Sequence, residues 1–165
     1  MARLNPRLRL ALLLTAVATV GCDHVTKQVA ISSLAGTPGR SFLADTIRLA
    51  YAENPGGFLS LGANLPPTAR VAVFTVVTGF VLLGLAGAAI RFQWRGWPAF
   101  GLTLFVAGGL SNWFDRALRG SVVDFLNIGV GSLRTGIFNV ADVAIVLGAV
   151  VLLVAEIRRD EHQPS

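Results

Sequence analysis

Four apolar stretches dominate this chain, at residues 8–29, 69–90, 98–114 and 138–157. Each is close to the roughly 20 residues that an α-helix needs to cross a hydrocarbon core about 30 Å thick. A chain written this way needs no charge where it meets lipid, and it carries little. Charged residues are 14% of the 165, against about 25% in a soluble domain. The expected fold is a mainly α membrane protein with four transmembrane helices, residues 1–165 forming a single integral membrane domain. Small residues recur inside the stretches (Gly79, Gly84, Gly87, Gly101, Gly108, Gly109, Gly148), as close helix packing in lipid requires.

The net charge is +5 with a pI of 11.0. Nucleic-acid binding would need the basic residues clustered. Here they sit singly or in pairs between apolar blocks, so membrane phospholipids are the expected partner and nucleic acid is not. The single cysteine, Cys22, excludes an internal disulfide and any multi-cysteine metal site. The two histidines, His24 and His162, lie near opposite ends. No metal and no cofactor are expected, and the chain is expected to be a monomer.

Orientation follows the Lys/Arg content of short flanks. The N-terminal flank holds Arg3, Arg7 and Arg9; the hinge between the second and third stretches holds Arg91 and Arg95, with Trp94 and Trp97 as interfacial anchors; the tail holds Arg158 and Arg159. These seven basic residues are matched by seven on the other side, but that side includes two long loops, 30–68 and 115–137, so its density of charge is lower. The short segments and both termini are therefore assigned to the cytoplasm, and the long loops to the outer face. The run Ser41–Ala52 has strand-like patches, Asn54-Pro55-Gly56-Gly57 reads as a turn, and Phe58–Leu61 as a second strand of a small hairpin. Ser121–Val130 is a further strand-like run.

The N-terminus also has the outline of a lipoprotein signal peptide, with a basic start, an apolar core and then Cys22. Thr19 is a poor residue for such a cleavage site, and three more hydrophobic blocks follow. Cys22 is expected to be a small buried residue of the first helix.

Ionisable groups at a transmembrane segment are costly and mark function. Here they crowd on one inferred side. Asp23 and Lys27 are four apart and share a helix face. Asn112, Asp115 and Arg116 end the third stretch; Asp115 and Arg116 cannot point the same way, so one is expected to face the protein and the other the headgroups. Asp124 sits among Val122, Val123, Phe125 and Leu126, where desolvation raises a carboxyl's pKa. Asp142 opens the fourth stretch, where a helix N-terminus favours an acid. Two carboxylates brought together share a proton, which allows one to activate water and the other to donate. No histidine is placed to serve a Ser or Cys nucleophile, so paired-aspartate chemistry suits the inventory best.

Four motifs in order resemble the lipoprotein signal peptidases, or signal peptidase II. They are DHVTK, with Asp23 and Lys27; ENPGGF, with Asn54 and Gly56; GGLSNWFDRALRGSVVDF; and FNVAD. The third is long and specific, and the set runs along the whole chain. The resemblance implies an aspartyl endopeptidase that cleaves prolipoproteins on the N-terminal side of a lipid-modified cysteine. It implies Asp124 and Asp142 as the catalytic pair, with Asn54, Gly56, Asn112, Arg116 and Asn139 positioning substrate and Asp23, Lys27 and Asp115 in support. It also implies an extracytoplasmic β-cradle and a short loop helix. One motif departs: Phe58 follows Gly57 directly, one place early, which on a strand would turn it to the other face. A small transporter or channel subunit using buried acids is the alternative from another class; it requires acids spread through the membrane's depth.

Overall fold

The computed structural model describes residues 5–57, 61–91 and 94–160. Helix α1 spans Pro6–Leu34, strands β1 and β2 span Arg40–Phe42 and Ile47–Asn54, and the next helix starts as α2, Pro67–Arg70. It passes through a π-helical segment, Val71–Val77, and continues as α3, Thr78–Arg91. Then come α4 (Gly96–Arg119), β3 (Val122–Val130), β4 (Leu133–Arg134) and α5 (Val140–Asp160). Among the described residues three helical stretches are long and apolar enough to cross a membrane: Pro6–Leu34, Pro67–Ala89 and Val140–Arg159. Helix α4 is 24 residues long, but its C-terminal half carries Ser111, Asn112, Asp115, Arg116 and Arg119.

The packing is polar inside and apolar outside. Leu13, Val17, Phe80 and Leu83 are 63–73% exposed, whereas Asp23 and Asn139 are 0% and Lys27 2% exposed. Lipid, not water, is the natural covering for such a surface. Cys22 is exposed rather than buried. The reason is geometric: Asp23 and Lys27 take the inward face of α1, and a neighbour one residue away points about 100° off that face.

The strands form one antiparallel sheet in the order β1-β2-β3-β4. The strand-like run Ser41–Ala52 falls in two strands linked by a turn, and β2 pairs with β1 before it and β3 far along the chain. The expected return strand at Phe58–Leu61 falls mostly outside the described residues, as does the shifted aromatic Phe58; Leu61 lies in a turn. The described part of that loop contains no helix before Pro67. The pairings Ala52↔Asp124 and Asn54↔Val122 bring two distant loops side by side. Val123 then packs with Ala30 and Leu34, which ties the sheet to the end of α1.

Helices α4 and α5 make the closest approach. A Cβ on Gly148 would lie 2.6 Å from both the Gly101 carbonyl oxygen and the Phe105 amide nitrogen, and one on Gly108 would lie 2.5 Å from the Ala141 carbonyl oxygen. Both collisions are with backbone, which cannot rotate away. Gly148→Ala is expected to lower the thermal unfolding midpoint in detergent, at a cost of roughly 1–3 kcal/mol. Gly84→Ala, which meets nothing within 4 Å, should not. Equal midpoints for the two variants would refute this packing.

Candidate active site

The site begins with how α5 starts. Asn139 is its N-cap: the Asn139 Oδ1 accepts from the Asp142 amide at 2.9 Å, and the Asp142 Oδ2 accepts from the Asn139 amide at 3.2 Å. This is a capping box, with Asp in place of the usual Glu or Gln three residues on. Another first-turn donor, the Ala141 amide, gives its hydrogen bond to Asp23 Oδ1 at 2.8 Å. The same contacts that end the helix's orphan donors also fix the Asp142 carboxylate.

Asn139 does more than cap. Its Nδ2 donates to Asp124 Oδ1 at 2.7 Å and to Asn112 Oδ1 at 3.1 Å. Asn112 Nδ2 in turn donates to Asp142 Oδ1 at 2.9 Å. The two aspartates, 18 residues apart in sequence, are thus held by one shared asparagine. Replacing it separates two roles. Asn139→Ala should lose about 1 kcal/mol of helix capping and, by releasing both carboxylates, about a hundredfold in kcat. Asn139→Ser should recover the stability, because serine caps well, but not the rate, because it is too short to reach Asp124. A serine variant with full activity would contradict this geometry.

Beneath the pair lies a buried ionic node. Lys27 Nζ is 2.6 Å from Asp23 Oδ2, 2.8 Å from Asp115 Oδ2 and 2.8 Å from Asn112 Oδ1. Three oxygens thus surround the ammonium, although Asp115 Oδ2 is aligned for an ion pair and not for a hydrogen bond. Ser111 Oγ donates to Asp23 Oδ2 at 2.7 Å. Four polar chains from α1 and α4 thus brace the Asn112 side chain, which braces Asp142.

The other wall is the Asn54–Gly57 turn. Asn54 Nδ2 donates to Asp124 Oδ2 and to the Gly57 carbonyl, both at 3.0 Å, and its Oδ1 accepts from the Gly56 amide at 3.0 Å. Arg116 reaches across to donate to the Gly56 carbonyl through Nε at 3.0 Å and through a terminal nitrogen at 2.5 Å. Its guanidinium lies 5.8 Å over the Phe74 ring. Phe74 belongs to the π-helical segment, which Trp113 pins by donating to the Thr75 carbonyl at 2.7 Å. Such segments often occur at functional sites.

Asp124 is 3% exposed. Burial, opposed by the hydrogen bonds from Asn54 and Asn139 and helped by the charge of Asp142, pushes its carboxyl up to about 6. A groove of about 480 Å³ opens beside Asp142, with Asn112, Arg116 and Asp142 at one end and Ile145, Val146 and Ala149 along α5.

All ten residues expected at the site gather here. Two expectations change. Asp115 and Arg116 were expected to part, one to the protein and the other to the headgroups; instead both turn inward, Asp115 to Lys27 and the half-buried Arg116 to the Gly56 turn. The three asparagines spend their hydrogen-bonding groups on the acids and the turn, so they act as braces before they act on any substrate. Ser111, Phe74 and Trp113 were not anticipated. Ser111 and Trp113 stand inside the GGLSNWFDRALRGSVVDF motif and were readable from it; Phe74 lies in a plain apolar run with no local signal.

Comparison with known proteins fits this arrangement. The model of the family described as signal peptidase (SPase) II matches residues 15–158. The lipoprotein signal peptidase of Sphingopyxis alaskensis is 39% identical over 153 residues, covering 92% of this chain and 86% of that protein. The lipoprotein signal peptidase of Mycobacterium leprae is 36% identical, covering 94% and 76%. A solved bacterial membrane enzyme superposes with a TM-score of 0.79 at 23% identity, covering 94% of this chain and 92% of that one, so the fold is shared.

Proposed function

The chain belongs to the signal peptidase II family, and on that premise we propose how its two aspartates carry out the reaction. It is a membrane protease that removes signal peptides from prolipoproteins. The cut falls on the N-terminal side of a diacylglyceryl-modified cysteine, whose acyl chains remain in the outer leaflet. The observation that carries the mechanism is the single asparagine, Asn139, bonded to both Asp124 and Asp142.

Asp142, at a helix N-terminus that favours negative charge, takes a proton from water as its oxygen attacks the scissile carbonyl carbon. Asp124, holding its proton, gives it to the carbonyl oxygen. In the collapse of the tetrahedral intermediate Asp142 passes the proton it took from water to the amide nitrogen, the carbon–nitrogen bond breaks, and Asp124 takes a proton back from a hydroxyl of the intermediate as the new carboxyl forms. Asn54 and Arg116 hold the Gly56 turn that walls the site. The groove along α5 receives the signal helix. Helix α4 is the fourth span, both termini are cytoplasmic, and the acid cluster lies at the outer face of the inner membrane. The enzyme works as a monomer among phospholipids, without nucleic acid, metal or cofactor. The transporter alternative is disfavoured because the acids gather at one end of the helices and not through their depth.

The pH dependence tests this. Asp124 is protonated below about 6 and must keep that proton to act as the acid. As pH rises through that value the free enzyme loses the shared proton, so kcat/KM should fall about tenfold per pH unit on the alkaline side. Bound substrate excludes water and disfavours the second charge, so the kcat limb should lie at higher pH. A kcat/KM that keeps rising through neutral pH would reject Asp124 as the acid.

A further inference from the structure

Phe74 is the large side chain of the π-helical segment that turns away from lipid. Val71, Val73, Val76 and Val77 around it are 44–55% exposed, whereas Phe74 is half-buried. Its ring borders two spaces. One is the groove of about 480 Å³ beside Asp142, which Phe74 lines together with Ile145 and Val146 of α5. The other is a smaller pocket of about 160 Å³, lined by Pro55, Pro67, Arg70 and Val71. Phe74 and Arg116 line both. The ring and the guanidinium 5.8 Å over it therefore form the partition between groove and pocket.

The partition is stiff. A Cβ on Gly57 would lie 2.8 Å from Phe74 Cε1, and one on Gly62 would lie 2.9 Å from Phe74 Cζ, so the ring edge rests on bare backbone. Trp113 fixes the adjoining residue by donating to the Thr75 carbonyl at 2.7 Å. The plain reading of Phe74 is packing, an aromatic face that steadies Arg116. That accounts for the stacking but not for a ring that separates the groove end from a second space. On the reading of the groove as the seat of the signal helix, on which this inference rests, the carbonyl attacked beside Asp142 belongs to the residue just before the modified cysteine. The side chain of that residue is set down at the groove end, among Gly57, Phe74 and Arg116. A wall that cannot yield discriminates by size, because an oversized group in a packed site forces strain on itself or its neighbours.

We propose that Phe74 is a specificity-determining residue: its ring closes the groove end and limits the residue before the cysteine to a small side chain. Removing the ring joins the groove to the pocket behind it and admits a larger, branched side chain. Phe74 acts by shape and takes no part in the proton transfers.

The test is kcat/KM of the full chain in detergent on two diacylglyceryl-modified prolipoprotein peptides that differ only before the cysteine, one with Ala and one with Leu there. Wild type should favour the Ala peptide by at least about a hundredfold. In Phe74→Ala that ratio should shrink at least about tenfold, through a gain on the Leu peptide. Phe74→Leu, which keeps an apolar side chain in place, should fall between the two and carries the test if the alanine variant does not fold. Phe80→Ala removes a ring that is 73% exposed and should keep the wild-type ratio. A purely structural role would lower both peptides by the same factor, so an unchanged ratio in both Phe74 variants would overturn the proposal. A wild type that cuts the two peptides equally well would overturn it too. Wild-type cleavage of the Ala peptide reports the peptidase reading separately: with neither peptide cut, both readings fall, and with the Ala peptide cut but the ratio unmoved, this one alone does.

Discussion

Asp124→Asn and Asp142→Asn should each lower cleavage by at least about 10³-fold while leaving a folded, membrane-inserted protein. General acid–base catalysis by a positioned group contributes typically 10²–10⁴, and partners that work as a unit lose nearly everything when one is removed. An amide is isosteric with a carboxylate, so the braces around it change little. At position 142 the Asn oxygen can still accept from the Asn139 amide, as Asp142 Oδ2 does at 3.2 Å. At position 124 one of the two donors, Asn54 or Asn139, would meet an amide donor, so a modest loss of stability accompanies the loss of rate. Initial-rate assays on purified variants, beside thermal unfolding, separate the two. An Asp142→Asn enzyme within tenfold of wild type would remove the dyad from the mechanism.

Lys27→Met should be the most destabilising single change outside the helix packing. It leaves Asp23 and Asp115 buried at 0% and 6% exposure with no cation between them. Removing one partner of a buried charge pair costs roughly 3–5 kcal/mol. The second carboxylate makes the case worse, because two acids on a dry face repel. Adding Asp115→Asn should recover part of the loss, since it removes one stranded charge, so the double variant should be more stable than Lys27→Met alone. Thermal unfolding of the three proteins measures this. A Lys27→Met protein as stable as wild type would mean that the node contributes nothing to the fold. Activity should fall with it, because Asn112 loses the ammonium that holds its carbonyl oxygen 2.8 Å away.

Much of this was legible before any coordinates, and the reasons are physical. In lipid the backbone leaves few choices, so apolar stretches of the right length announce helices. The short polar motifs stood out because burying a charge there requires a reason. Asn139-Val140-Ala141-Asp142 is legible twice over, as a helix start and as a family motif, since one set of hydrogen bonds caps the helix and fixes the Asp142 carboxylate. The strand pairing was not legible. Asn54↔Val122 joins residues 68 apart, and nothing local in either loop names its partner. Which way Arg116 turns was not legible for a related reason: its position on the last turn of α4 is local, but the Gly56 carbonyl it binds comes from another loop. Phe74 was silent because an apolar residue in a membrane helix reads the same whether it faces lipid or supports an arginine. Cys22 illustrates the inversion most simply, since in this solvent the exposed face is the apolar one.

The central claim is tested most directly by incubating the purified wild-type protein with a diacylglyceryl-modified prolipoprotein and identifying both products by mass spectrometry, with Asp124→Asn in parallel. The account predicts a signal peptide and a product that begins at the lipid-modified cysteine, formed by wild type and absent with the variant. Cleavage at any other bond, or the same products from Asp124→Asn, would contradict it.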